Sequence, residues 1–283
     1  MELPWEQVDN LINLALAEDT GYGDPTSESL IPSGLGGRAA ILAKANGRLA
    51  GIDVVRHVFL QVDPSLTVEV LINDGAEVKP GDIIATVQGN AASIFKAERV
   101  ALNFLQRLSG IASQAAQYVA RVQGLAVRIV DTRKTTPGMR MLEKYAVRMG
   151  GGQNHRFHLG DAVLIKDNHL AALHALGMSL PDIVAKARQN APRGMVVEVE
   201  VNTTEEALAA VEAGADTVML DNMDTEEMRH AVGLISGRAK IEASGGITLD
   251  NVREVAMTGV DIISIGALTH SSKALDISLE FEP

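Results

Sequence analysis

From about residue 112 onward, short β-branched runs alternate with longer amphipathic ones, and this alternation constrains the fold more than any other feature. The strand-like runs are RIVD (128–131), AVLIK (162–166), MVVEVEV (195–201), DTVMLD (216–221), KIEAS (240–244) and DIISIG (261–266). Strands separated by helix-length segments pair in parallel, with the helices as crossovers. A weak internal repeat favours a barrel over a doubly wound sheet. The stretch from Gly214 to Leu220 resembles that from Gly259 to Ile265, offset by 45 residues or about two β/α units. Six strands are visible, short of a closed barrel of eight.

The preceding part reads differently. Residues 4–19 place Val8, Leu11, Ile12, Ala15 and Leu16 at helical spacing. Strand-like segments at 38–43, 67–72 and 82–87 are bounded by Asn73-Asp74-Gly75 and Pro80-Gly81 turns, with a helix expected over 53–60. A helical stretch over 92–122 is interrupted at Ser109-Gly110, which sets the expected boundary. The fold class is therefore α/β, with an N-terminal α+β domain over 1–111 and an open α/β (TIM-like) barrel over 112–283.

No cysteine is present, which excludes thiolate chemistry and suits a reducing, cytoplasmic setting. The N-terminus has no basic segment before an apolar run, and no stretch approaches the roughly 20 apolar residues of a membrane span. A formal charge of −11 argues against nucleic acid or an anionic membrane as partner. An anionic ligand must then be captured locally, and one segment is built for it. Between Asp131 and His169 seven Lys or Arg stand against four acids, an excess of three positive charges.

Strand ends carry the chemistry of a β/α barrel. Here they hold Asp131, Thr132, Arg133 and Lys134; Lys166, Asp167 and Asn168; Glu198 and Glu200; Asp221 and Asn222; Ser244, Gly245 and Gly246; and Gly266. Arginine forks and lysine point charges suit a small polyanion. Glu200 and Asp221 suit a hard divalent cation, directly or through water, or ribose hydroxyls. Gly245-Gly246 before an expected helix start offers backbone N–H groups to a phosphate. His155 and His158 lack a third ligand at metal-site spacing, and Arg156 between them would repel a cation. His155 is instead a candidate ligand donor.

These motifs, DTRKTTPGxR (131–140), KYAVRxGGGxNHR (144–156), IKDNH (165–169), EVEV (198–201), LDNM (220–223), EASGGI (242–247) and ISIGALTHS (263–271), together resemble the quinolinate phosphoribosyltransferase family. The resemblance implies an Mg2+-dependent transfer from phosphoribosyl pyrophosphate to quinolinate, with decarboxylation to nicotinate mononucleotide, in a homodimer or assembly of dimers. It also implies that Arg133, His155, Arg156 and Lys166 bind the quinolinate carboxylates and that Lys134 and Lys166 face pyrophosphate. Glu200 and Asp221 would hold ribose and the magnesium shell. Thr132 belongs to the substrate-binding set, Ser244, Gly245, Gly246 and Gly266 to a phosphate cradle, and Arg99 would reach in from the neighbouring subunit. Three other readings are weaker. A pyrophosphorylase-like paralogue associated with molybdenum transport is disfavoured by the intact NHR and IKDNH motifs. A Schiff-base aldolase acting through Lys166 leaves the other cations without purpose. A phosphosugar-binding module would bind without turnover.

Overall fold

The computed structural model describes residues 3–282, which form two compact units. The first takes residues up to 116, 135–151 and 267 onward; the second takes 117–134 and 152–266. A single cut at 111/112 was expected from the sequence, whereas the units interleave along the chain. Residues 1, 2 and 283 of the expected domains lie outside the described residues.

The first unit opens with α1 (Trp5–Thr20) and α2 (Pro25–Leu30), continues through β1 (Gly36–Ala43), β2 (Gly47–Arg48), α3 (Ile52–Val62), β3 (Thr67–Val70), β4 (Glu77–Val78) and β5 (Ile83–Asn90), and enters the long α4 (Ala91–Arg121). Asp24 caps α2 by accepting the Ser27 N–H at 3.1 Å, with Pro25 at the first helical position. Along β1, Ala39, Ile41 and Ala43 are buried and their neighbours are not, the period of a half-covered strand.

The expected break at Ser109-Gly110 is absent, because α4 runs through it. Ser109 is fully buried and its hydroxyl accepts the Ala50 N–H at 3.1 Å. A Cβ at position 110 would collide with the Lys273 carbonyl. This Ser-Gly pair lets backbone approach a helix flank closely, which outweighs its poor helix propensity.

The second unit contains β6 (Arg128–Val130). The chain then gives α5 (Arg140–Met149) to the first unit and resumes with β7 (Val163–Ile165), α6 (Asp167–His174), α7 (Leu180–Asn190), β8 (Val197–Val201), α8 (Thr204–Glu212), β9 (Thr217–Asp221), α9 (Thr225–Ile235), β10 (Lys240–Ser244), α10 (Val252–Ala256) and β11 (Ile262–Ser264). All six expected strands are present. They form one parallel sheet in the order β6-β11-β10-β9-β8-β7, with β6 and β7 as edges. The internal repeat has a structural meaning. Asp216, at the entry to β9, accepts the Val197 N–H at 2.8 Å, and Asp261, at the entry to β11, accepts the Ile241 N–H at 2.9 Å. Each aspartate satisfies the first donor of a neighbouring strand.

The remaining elements, α11 (Ala267–His270) and β12 (Ile277–Glu282), return to the first unit, where β12 pairs antiparallel with β1 to complete a sheet in the order β12-β1-β5-β3. Among the described residues no helix is long and apolar enough to cross a membrane.

Candidate active site

In β8 every residue is buried, and alternation puts Val197, Val199 and Val201 on one face and Glu198 and Glu200 on the other. Parallel register sets Glu200 beside Met219 on β9 and Met219 beside Glu242 on β10. Two residues further along, Asp221 stands beside Ser244. Glu200, Met219, Asp221, Glu242 and Ser244 line a cavity of about 560 Å3 in the second unit. Its wall is completed by Thr132, Arg133 and Lys134 after β6, by His155 and Arg156, by Lys166 after β7, and by Asn222, Gly245 and Gly246.

Of the thirteen residues expected at the site, the structure brings eleven together around this cavity. Gly266 follows β11 and is not among the lining residues. Arg99 belongs to the first unit, where it is exposed on α4 with Glu98 at 3.9 Å.

The cationic side of the cavity carries electrostatic tension. Burial, and then the charge of Arg133, hold the Arg156 guanidinium below its ordinary pKa. Arg133 keeps a buried Nε with no hydrogen-bond partner. Two like charges facing one space, one of them under-satisfied, create demand for an anion. The loop carrying Arg133 is held by Thr132, whose hydroxyl accepts the Lys134 N–H at 3.1 Å.

Across from it, Lys166 Nζ lies 3.0 Å from Glu200 Oε2. Lys166 is half-exposed and ion-paired, unlike the desolvated apolar setting that a Schiff-base lysine uses. Asp221 Oδ2 accepts the Asn222 side-chain amide at 2.8 Å. Glu200 and Asp221 offer carboxylate oxygens, the donor type that Mg2+ prefers, and are too few to fill its octahedron, so substrate and water oxygens would supply the rest. This donor set fits the expected ion.

His155 lines the cavity and is also held by the protein. Its Nε2 lies 3.2 Å from Glu242 Oε2 and 3.4 Å from Glu198 Oε2, and its Nδ1 accepts the Arg156 N–H at 2.9 Å. Both ring nitrogens are thus engaged by the protein. Burial opposes charging the ring, but the hydrogen bonds and charges of Glu198 and Glu242 outweigh it and push its pKa up to about 10. The Arg156 N–H pulls the other way, since an imidazolium carries a proton on Nδ1. One neutral hydrogen bond is worth about 1 kcal/mol, less than two buried carboxylates contribute. The charged ring is therefore favoured. Burial raises the pKa of Glu198, which His155 counteracts. Among the described residues these three form a group whose ligand atoms lie within 4.8 Å of one another, close enough to hold a metal ion. The imidazole already joins the two carboxylates.

Asp131, fully buried, fixes this arrangement from behind by accepting the His155 N–H at 2.9 Å and the Asn154 amide at 2.6 Å. In the sequence Asp131 and Glu198 stand at strand ends with nothing to mark these tasks, and Glu242 is one letter of the EASGGI motif. A glutamate between the apolar Ile241 and Ala243 of a strand is the signal that could have flagged Glu242. The expected helix start behind Gly245-Gly246 also needs correction. The next helix, α10, begins only at Val252, because a turn closed by the Asn251 side chain intervenes. Any phosphate contact at the glycines comes from the turn, where Gly245 and Gly246 have φ of 85° and 61°.

A parallel α/β sheet whose strand ends gather cations, carboxylates and a glycine turn around one cavity defines an enzyme that acts on a small polyanion. The family models for the quinolinate phosphoribosyl transferase N-terminal and C-terminal domains match residues 24–109 and 111–280. The chain belongs to the quinolinate phosphoribosyltransferase family. It is 44% identical over 274 residues to a probable carboxylating nicotinate-nucleotide pyrophosphorylase of Bacillus subtilis, covering 97% of this chain and 93% of the relative. It is 43% identical over 295 residues to a decarboxylating quinolinate phosphoribosyltransferase of Nicotiana glauca, covering 99% and 83%. NadC from Streptococcus pyogenes superposes with a TM-score of 0.94 at 41% identity, covering 100% of both chains.

Proposed function

We propose that this protein is a quinolinate phosphoribosyltransferase of NAD biosynthesis. It converts quinolinate and phosphoribosyl pyrophosphate to nicotinate mononucleotide, pyrophosphate and carbon dioxide. The observation that carries this reading is that Arg133, Arg156 and Lys166 line one cavity together with Glu200 and Asp221.

Arg133, Arg156 and Lys166 hold the two carboxylates and aim the ring nitrogen at C1 of the sugar. His155 supports this wall by binding Glu198 and Glu242. As pyrophosphate leaves, Lys134 and Lys166 neutralise its growing charge, while Glu200 and Asp221 offset positive charge on the sugar. Glu200 and Asp221 would hold Mg2+, directly or through water, and the ion would supply further neutralisation of the pyrophosphate. Thr132 maintains the cationic loop, and Ser244, Gly245, Gly246 and Gly266 hold the 5′-phosphate. N-ribosylation makes the ring an electron sink, so the adjacent carboxylate leaves as carbon dioxide. No protein nucleophile is required.

Quinolinate is therefore used at least roughly 10²-fold better than nicotinic acid in kcat/KM. Removing a carboxylate leaves a half-buried cation unpaired, an effect of several kcal/mol before solvent screening reduces it. The two acids are compared under saturating phosphoribosyl pyrophosphate, and equal values would refute the assignment.

The functional assembly is a homodimer in which Arg99 completes the partner's site, and it acts in the cytoplasm. The exposure of Arg99 on α4 supports the first statement. The absence of cysteine supports the second. Arg99→Ala and Lys166→Ala are each nearly inactive, but after subunit exchange about half the dimers are mixed and each has one intact site. Roughly a quarter of wild-type activity returns. No gain, with exchange verified by native mass spectrometry, places Arg99 outside a shared site.

A further inference from the structure

Asn222 has φ of 54°, a left-handed conformation that a side chain other than glycine adopts at a cost. The other described non-glycine residue with positive φ, Ser236, sits at the C-terminal cap of α9, where that conformation is ordinary. Asn222 ends no helix. It follows Asp221 at the end of β9, its N–H is bound by the Ser244 carbonyl at 3.0 Å, and it lines the cavity.

Two further contacts explain what this conformation accomplishes. The Asn222 amide donates to Asp221 Oδ2 at 2.8 Å. On its other side it fills the space beside Gly245, where a Cβ would strike Asn222 Oδ1 and Cγ. Gly245 is therefore glycine for two reasons, its φ of 85° and the amide seated against it. The amide is held between the glycine turn and the carboxylate, so it can donate in one direction only. Glycine at 222 would satisfy the backbone more easily but would leave Asp221 free to rotate.

We infer that Asn222 is a positioning residue that holds the Asp221 carboxylate in its working orientation, with Gly245 providing the notch in which the amide sits. The inference rests on the proposed role of Asp221 at the sugar and its ion. A donor of this kind acts on the affinity and reactivity of the group it orients, by roughly 10- to 100-fold when removed.

The test uses the full-length protein with Asn222→Gly, Asn222→Asp and Asp221→Asn. Asn222→Gly keeps or raises Tm, because glycine adopts the left-handed region freely. It lowers kcat/KM for phosphoribosyl pyrophosphate by roughly 10- to 100-fold while KM for quinolinate stays within about twofold. Asn222→Asp retains size and tolerance of positive φ but replaces the donor with an acceptor, so its loss is at least as large. A merely structural residue would give the reverse for glycine, with lower Tm or unchanged kinetics. If Asp221→Asn is impaired and either Asn222 variant keeps wild-type kcat/KM, the positioning role is wrong and the reading of Asp221 stands. If Asp221→Asn is itself fully active, both fall.

Discussion

Lys134→Ala and Glu200→Ala each lower kcat by roughly 10²- to 10³-fold while circular dichroism and Tm remain close to wild type. Lys134 is exposed on the loop after β6, so its removal takes little packing from the fold. Removing Glu200 releases Lys166, which is already half-exposed and can be hydrated. The fold therefore tolerates both changes, and the loss falls on charge that develops during transfer. Because Lys166 Nζ and Glu200 Oε2 are 3.0 Å apart, Lys166→Ala and Glu200→Ala are not additive. The double variant is less impaired than the product of the two single effects. A Glu200→Ala protein that has lost its circular dichroism signal would make Glu200 a structural residue and remove it from the mechanism.

What was legible in the sequence was periodic or chemically improbable. The six parallel strands could be read because each is a short β-branched run ended by polar residues, and those ends mark the cavity. Glu198 and Glu200 stood out because carboxylates among valines require a partner. What was not legible depends on encounters between distant segments. Nothing local in 277–282 announces pairing with β1, which joins Arg38 to Glu282. Ser109-Gly110 reads as a helix break until the Lys273 carbonyl is seen against it. The engagement of His155 by Glu198 and Glu242 joins three separate loops and strands, and a motif reveals only that each residue is present. The conformation of Asn222 is also invisible locally, since asparagine tolerates positive φ without demanding it.

The cluster beneath the cavity should make His155→Ala strongly destabilising, with a definite pH dependence. In the wild type the imidazole lies between two carboxylates, with Glu242 fully buried and Glu198 nearly so. Removing it leaves both acids without their shared partner, and breaking a buried pair in this way costs about 3–5 kcal/mol. The sign with pH follows from the direction of each shift. His155 is raised from 6.5 to about 10 in the folded protein, so its stabilising contribution is complete below about 6.5 and drains as pH rises toward 10. Glu198 is raised by burial while His155 pulls it down, so without the imidazole it rises further and binds a proton more readily. A protonated Glu198 can donate to Glu242 and replace part of the lost contact. The difference between wild type and variant in urea unfolding is therefore largest near pH 6.5, shrinks as pH rises toward 10 and the imidazole loses its proton, and narrows toward pH 5 as Glu198 protonates in the variant. A gap below about 1 kcal/mol at pH 6.5 would mean that the carboxylates find other partners, and a gap that does not shrink between pH 6.5 and 10 would mean that the imidazole is neutral in the folded protein. Neither outcome is compatible with a charged imidazole holding Glu198 and Glu242 beneath the substrate.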